Sequence, residues 1–69
     1  MKLSARNIIP GKVVDVQKGA TTTTVHIAVT PQVTMTSSIT NEAAEDLGLK
    51  AGLAVKVVVK SSDVILAVD

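Results

Sequence analysis

The 69-residue chain has no cysteine, no phenylalanine, no tryptophan and no tyrosine, and His26 is its one histidine. Without cysteine there is no disulfide framework, and one histidine cannot assemble a zinc site of the usual kind, so no direct metal cation site is expected. Without aromatic rings there is no platform for stacking nucleic-acid bases. Seven basic and six acidic residues leave a formal net charge of +1, too small a field to draw the chain to nucleic acid or to an anionic membrane. No apolar run approaches the ~20 residues that a membrane helix needs. Lys2 and Arg6 place charge at the start before any apolar run can form, unlike a secretory signal. The expectation is a soluble cytoplasmic protein with neither nucleic acid nor membrane as partner.

What the chain does have is aliphatic. Hydrophobic residues make up 46% of it, so the core must be built from Val, Ile, Leu, Ala and Met. A chain this short forms one small domain and buries only about 60% of the surface its unfolded form exposes. Small domains compensate with disulfides, a structural metal or association. The first two are closed here, which leaves association of copies of the chain.

Leu3 to Ile9 reads as an extended arm ended by a Pro10-Gly11 turn. Lys12 to Lys18 reads as a strand with Val14 and Val16 facing inward. After Gly19-Ala20 the chain alternates, with Val25, Ile27 and Val29 on one face and Thr24, His26, Ala28 and Thr30 on the other. Pro31-Gln32 links this strand in a hairpin to Val33–Ile39. Asn41 to Leu47 holds helix formers with acidic residues early; Thr40 or Asn41 supplies the N-cap and Gly48 a left-handed exit. Lys50-Ala51-Gly52 is a turn between Leu49 and Leu53. Ala54 to Lys60 is a strand with Val55, Val57 and Val59 on one face, Ser61-Ser62-Asp63 turns, and Val64 to Val68 forms a last, apolar strand.

Three strands, a helix and two strands is the element order of the OB-fold, so the expected class is all-β: a five-stranded Greek-key barrel with one short helix. The arm Leu3–Ile9 is surplus to that barrel and suited to adding onto a neighbour's sheet edge, and is expected to be shared between subunits.

The chemistry points away from catalysis. The one imidazole lies among threonines with no recognisable base or nucleophile beside it in sequence, and Glu42, Glu45 and Asp46 have the spacing of a solvated helix face. No enzyme activity and no cofactor are expected. Two stretches instead gather hydrogen-bond donors. Ser4-Ala5-Arg6-Asn7 offers a hydroxyl, backbone N–H groups, a guanidinium and a carboxamide, with no carboxylate nearby; Lys60-Ser61-Ser62 offers an ammonium, two hydroxyls and the N–H groups of a turn. Such a set suits a fully deprotonated tetrahedral dianion, which only accepts hydrogen bonds. Taken alone, the same residues also fit solvated strand-end charges and an ordinary serine turn. His26 is either an exposed residue of the threonine face or a residue near a symmetry axis meeting an anion. Lys18-Gly19-Ala20 is either a plain turn or a backbone nest for an anion.

At these residues the chain resembles the molbindins, small proteins made of one Mop domain that binds molybdate or tungstate. The likeness spans essentially the whole chain. It rests on Ser4-Ala5-Arg6-Asn7, on Pro10-Gly11 with the Val-rich stretch after it, on Ile39-Thr40 to Leu47-Gly48-Leu49, and on Val57 to Ser62. The resemblance implies a homohexamer, a trimer of dimers, that stores or buffers the oxyanion at subunit interfaces. It implies a main site of Ser4, Ala5 and Arg6 from one subunit with Lys60, Ser61 and Ser62 from another. A second class of site is implied on or near the threefold axis, around Lys18, Gly19, Ala20 and His26. The alternative function is a regulatory module whose surface changes with anion occupancy.

Overall fold

A computed structural model describes residues 2–69. The described chain runs β1 (Asn7–Lys18), β2 (Thr22–Ala28), β3 (Thr34–Thr40), α1 (Asn41–Leu47), β4 (Ala54–Val59) and a short 3-10 turn over Ser61–Asp63. The four strands form one antiparallel sheet in the order β3-β2-β1-β4.

The expected Pro10-Gly11 turn is not made: both residues lie inside β1, which runs unbroken for 12 residues and absorbs Asn7 to Ile9 of the expected arm. The reason is that β1 has a different neighbour along each half. Asn7 to Lys12 pair with β4, and Lys12 to Lys18 pair with β2. Pro10 sits in the half with one neighbour, where a missing N–H is tolerated as on any sheet edge. Gly11 sits where β1 crosses the end of β2. A Cβ there would lie 2.6 Å from Ile27 Cγ2 and 3.0 Å from the Ala28 carbonyl oxygen. The glycine is thus a packing requirement of the curl, not a turn signal.

The inward set of β1 also differs from expectation. The ladder with β2 shifts register between Val13 and Asp15, leaving Val14 as an extra residue. This bulge turns Val14 outward, 49% exposed, and Val13 takes its place in the core, 3% exposed. It also puts Asp15 on the outer face while Val16 packs against the core. Val25 and Ile27 face inward as their alternation predicts.

β2 and β3 form the expected hairpin, closed by Val29 N–H donating to the Val33 carbonyl and by Thr30 Oγ1 accepting from Val33 N–H. α1 begins on Thr40, whose hydroxyl accepts from Ala43 N–H at 3.0 Å, and ends on Gly48 in the left-handed region at φ 63°. β4 forms as predicted, with Val55, Val57 and Val59 half-buried.

The expected fifth strand is absent. Val64 to Asp69 enter no strand and stand in solvent, with Ile65 92%, Leu66 88% and Val68 99% exposed. The chain therefore forms a curled four-stranded sheet and not the expected closed five-stranded barrel, since the outer edges of β3 and β4 pair with no described strand. The segment left over is at the C-terminal side, not the expected Leu3–Ile9 arm, of which Asn7 to Ile9 are paired with β4.

Candidate functional site

The ladder between β1 and β4 ends at the pair Asn7 and Val59. The two donor stretches leave the sheet from that end side by side: Ser4-Ala5-Arg6 runs into β1, and Lys60-Ser61-Ser62 runs out of β4. Asn7 Nδ2 donates to the Val59 carbonyl at 3.2 Å and fastens the two exits together. The carboxamide expected in the donor set is thus spent on holding its two halves at one place.

Ser4, Arg6, Lys60, Ser61 and Ser62 are exposed and Ala5 is half-buried. Neither the Arg6 guanidinium nor the Lys60 ammonium pairs with a carboxylate among the described residues. The 3-10 turn closes through Asp63 N–H to the Lys60 carbonyl at 2.9 Å and Val64 N–H to the Ser61 carbonyl at 3.3 Å. The N–H groups of Ser61 and Ser62 come first in that turn and have no carbonyl within it to receive them. One chain thus brings two cations, three hydroxyls and free turn amides to one end of one strand pair. A donor-only set of this kind matches the hydrogen-bonding needs of a dianion, each charge-assisted hydrogen bond contributing roughly 1.5–3 kcal/mol.

The residues of the expected second site are not brought together within a chain. Lys18 pairs with Thr23, which is buried and faces inward, and its ammonium lies 3.5 Å from Glu45 Oε1. His26 pairs with Asp15 on the opposite face, its Nδ1 2.6 Å from Asp15 Oδ1. That carboxylate opposes any anion beside the imidazole. The Gly19-Ala20 turn is held from within. Gly19 N–H donates to the Thr22 carbonyl at 2.8 Å, and Asn41 Nδ2 donates to the carbonyls of Gly19 at 3.1 Å and Ala20 at 3.3 Å. Thr23, 2% exposed, donates its hydroxyl to Asn41 Oδ1 at 2.6 Å. Asn41 is therefore the link between this turn and the head of α1, a role beyond the capping the sequence suggested; an amide beside a threonine-capped helix start was the available signal.

Two features of the surroundings were not visible in the sequence. An apolar groove of about 180 Å³ opens between β3 and β4, floored by Val13, Val25 and Ile27. On the outer face, Ile8 and Val58 form a cross-strand pair, 44% and 42% exposed, directly beside the donor stretches. Among the described residues no group of three or more His, Cys, Asp or Glu side chains is placed to hold a metal ion, and no helix is long and apolar enough to cross a membrane.

Known proteins resemble the chain over its whole length. A family model described as the TOBE domain matches residues 3–66. The molybdenum-pterin-binding protein 3 of Clostridium pasteurianum is 42% identical over 66 residues, 96% of this chain and 97% of that relative. Among solved structures, a molybdate-binding protein from Sporomusa ovata superposes with a TM-score of 0.91 at 25% identity, covering 97% of this chain and 98% of that one. The cytoplasmic molybdate-binding protein ModG superposes with a TM-score of 0.93 at 42% identity over 100% of this chain, which spans 49% of ModG.

Proposed function

Because the chain belongs to the TOBE domain family, we propose that it binds molybdate or tungstate and does no chemistry on it, serving in the cytoplasm as an oxyanion store or buffer. The observation that carries this reading is the convergence of Arg6 and Lys60, both free of carboxylate partners among the described residues, at the exit fastened by Asn7. Molybdate is fully deprotonated near neutral pH, so a site of donors alone leaves no group unsatisfied. Phosphate still carries a proton there and needs an acceptor. A pterin ring, which the relatives' name invokes, has no aromatic side chain here to stack on.

The working form is an oligomer, in the reading a hexamer built as a trimer of dimers, with Ser4, Ala5, Arg6, Lys60, Ser61 and Ser62 at subunit interfaces. Three facts support association. The fully buried large aliphatics are Val13, Val25 and Ile27, whereas ten large hydrophobic residues of the described chain stay exposed. The Ile8 and Val58 pair puts apolar surface beside the donors. The sheet has four strands with the outer edges of β3 and β4 open among the described residues, and the apolar segment Val64–Val68 is left exposed. Lys18, Gly19, Ala20 and His26 join a second site only if several copies bring them together, since one chain does not.

Arg6→Ala is expected to abolish tight molybdate binding while the oligomer keeps its mass, and Lys60→Ala is expected to do the same. Mixed oligomers of the two variants regain some binding if the donors of one site come from two chains, and failure to regain any places both residues of a site on one chain. Unchanged affinity in either variant removes that residue from the site.

A further inference from the structure

We propose that Asn7 is a positioning residue that sets the site's preference for molybdate over sulfate, by fixing how the two donor stretches leave the sheet. The inference rests on the oxyanion reading above and names the source of its selectivity.

Sulfate and molybdate are both tetrahedral dianions that only accept hydrogen bonds, so the donors of Ser4, Arg6, Lys60, Ser61 and Ser62 suit either one. They differ in size, and sulfate is the smaller. A cage of fixed span rejects the smaller anion, which cannot reach donors on both sides at once; a cage free to close accepts it. Selectivity therefore depends on what holds the two stretches in place.

The stretches do not hold each other. Lys60-Ser61-Ser62 is shaped by its own 3-10 turn, but Ser4, Ala5 and Arg6 precede β1 and make no hydrogen bond among the described residues. Arg6 and Lys60 are exposed and carry long side chains with many rotamers. What both stretches share is the last pair of the β1 and β4 ladder, Asn7 with Val59. There the Asn7 carboxamide adds its donation to the Val59 carbonyl at 3.2 Å, joining residues 52 positions apart. Where a site combines Ser4–Arg6 of one copy with Lys60–Ser62 of a second, each half still leaves from a junction fastened in its own chain.

The place of Asn7 in the strand points the same way. It lies on the more buried side of β1 with Ile9, Gly11 and Val13, and it pairs with Val59 as Ile9 pairs with Val57. That pattern calls for an aliphatic side chain, and a valine there would suit both the strand and its cross-strand partner. A polar residue that breaks the local pattern is expected where function, not stability, is served.

The test is calorimetric titration of the anion-free full chain with molybdate, then displacement by sulfate, giving the ratio of the two Kd values, with Tm measured beside it. Asn7→Val is expected to keep or raise Tm and to lower the sulfate-to-molybdate Kd ratio about two- to tenfold, the range that one neutral hydrogen bond spans. Asn7→Asp keeps the shape but cannot donate to the Val59 carbonyl while ionised. Its charge weakens both anions alike, so the ratio still reports the clamp and is expected to fall as far. A wild-type ratio in both variants, or a ratio that falls only together with Tm, overturns the inference while the oxyanion reading stands. No uptake of molybdate by the wild-type chain overturns the oxyanion reading and the inference with it.

Discussion

Replacing Gly11 by alanine tests whether β1 runs through Pro10-Gly11 as a continuous, tightly crossed strand. The added methyl would sit 2.6 Å from Ile27 Cγ2, 3.0 Å from the Ala28 carbonyl oxygen and 3.3 Å from Val29 Cγ1. Ile27 is a core residue and the carbonyl belongs to the backbone of β2, so neither yields by a simple rotation. Forced overpacking of this kind costs about 1–3 kcal/mol. The lower backbone entropy of alanine in the unfolded chain returns about 0.4–1 kcal/mol. The net loss of about 1–2 kcal/mol lowers Tm by roughly 4–8 °C per kcal/mol in a chain of this size. Thermal unfolding followed by circular dichroism measures it, at one protein concentration because any association would add to the stability. If Pro10-Gly11 were instead an open turn, alanine would be neutral or stabilising, and an equal or higher Tm refutes the crossing.

Two further substitutions read out local structure by urea unfolding. Thr23→Val keeps the shape of the buried side chain but leaves Asn41 Oδ1 without the hydroxyl that donates to it; stability should fall by about 1–3 kcal/mol, and a midpoint within error of wild type would dismiss the network. Gly48→Ala meets nothing within 4 Å but must adopt φ 63°; the strain alone should remove about 1–2 kcal/mol with an unchanged m value, and no loss would mean the helix exit relaxes freely.

Where local pattern and tertiary demand agreed, the fold could be read from the residues. Val25 and Ile27 alternate against threonines and are core, and Thr40 and Gly48 bracket α1 because hydroxyl capping and left-handed backbone are local properties. The differences arise where a distant strand decides. Pro10-Gly11 has the composition of a turn, yet its role is set by Ile27 and Ala28, which lie 16 residues or more along the chain. The bulge at Val14 puts Val13 in the core in place of Val14, and two adjacent valines between Lys12 and Asp15 gave no sign of which would yield. Val64–Val68 has the composition of a buried strand, yet in the chain it enters no strand and stands in solvent, because composition marks a segment as apolar without naming an edge for it to pair with.

The site divides the same way. The donor content of Ser4 to Asn7 and of Lys60 to Ser62 is a property of the residues, and the register of β1 on β4 adds that both leave one end of one strand pair. The pairing of His26 with Asp15 was hidden because Asp15 reaches the outer face only through the bulge.

The most direct test of the account is calorimetric titration of anion-free protein with molybdate, followed by sulfate competition, with mass measured in the same buffer. Tight uptake of about one or more anions per chain by an oligomer, resistant to excess sulfate, is the predicted result. No heat, or binding that sulfate displaces equally well, contradicts it.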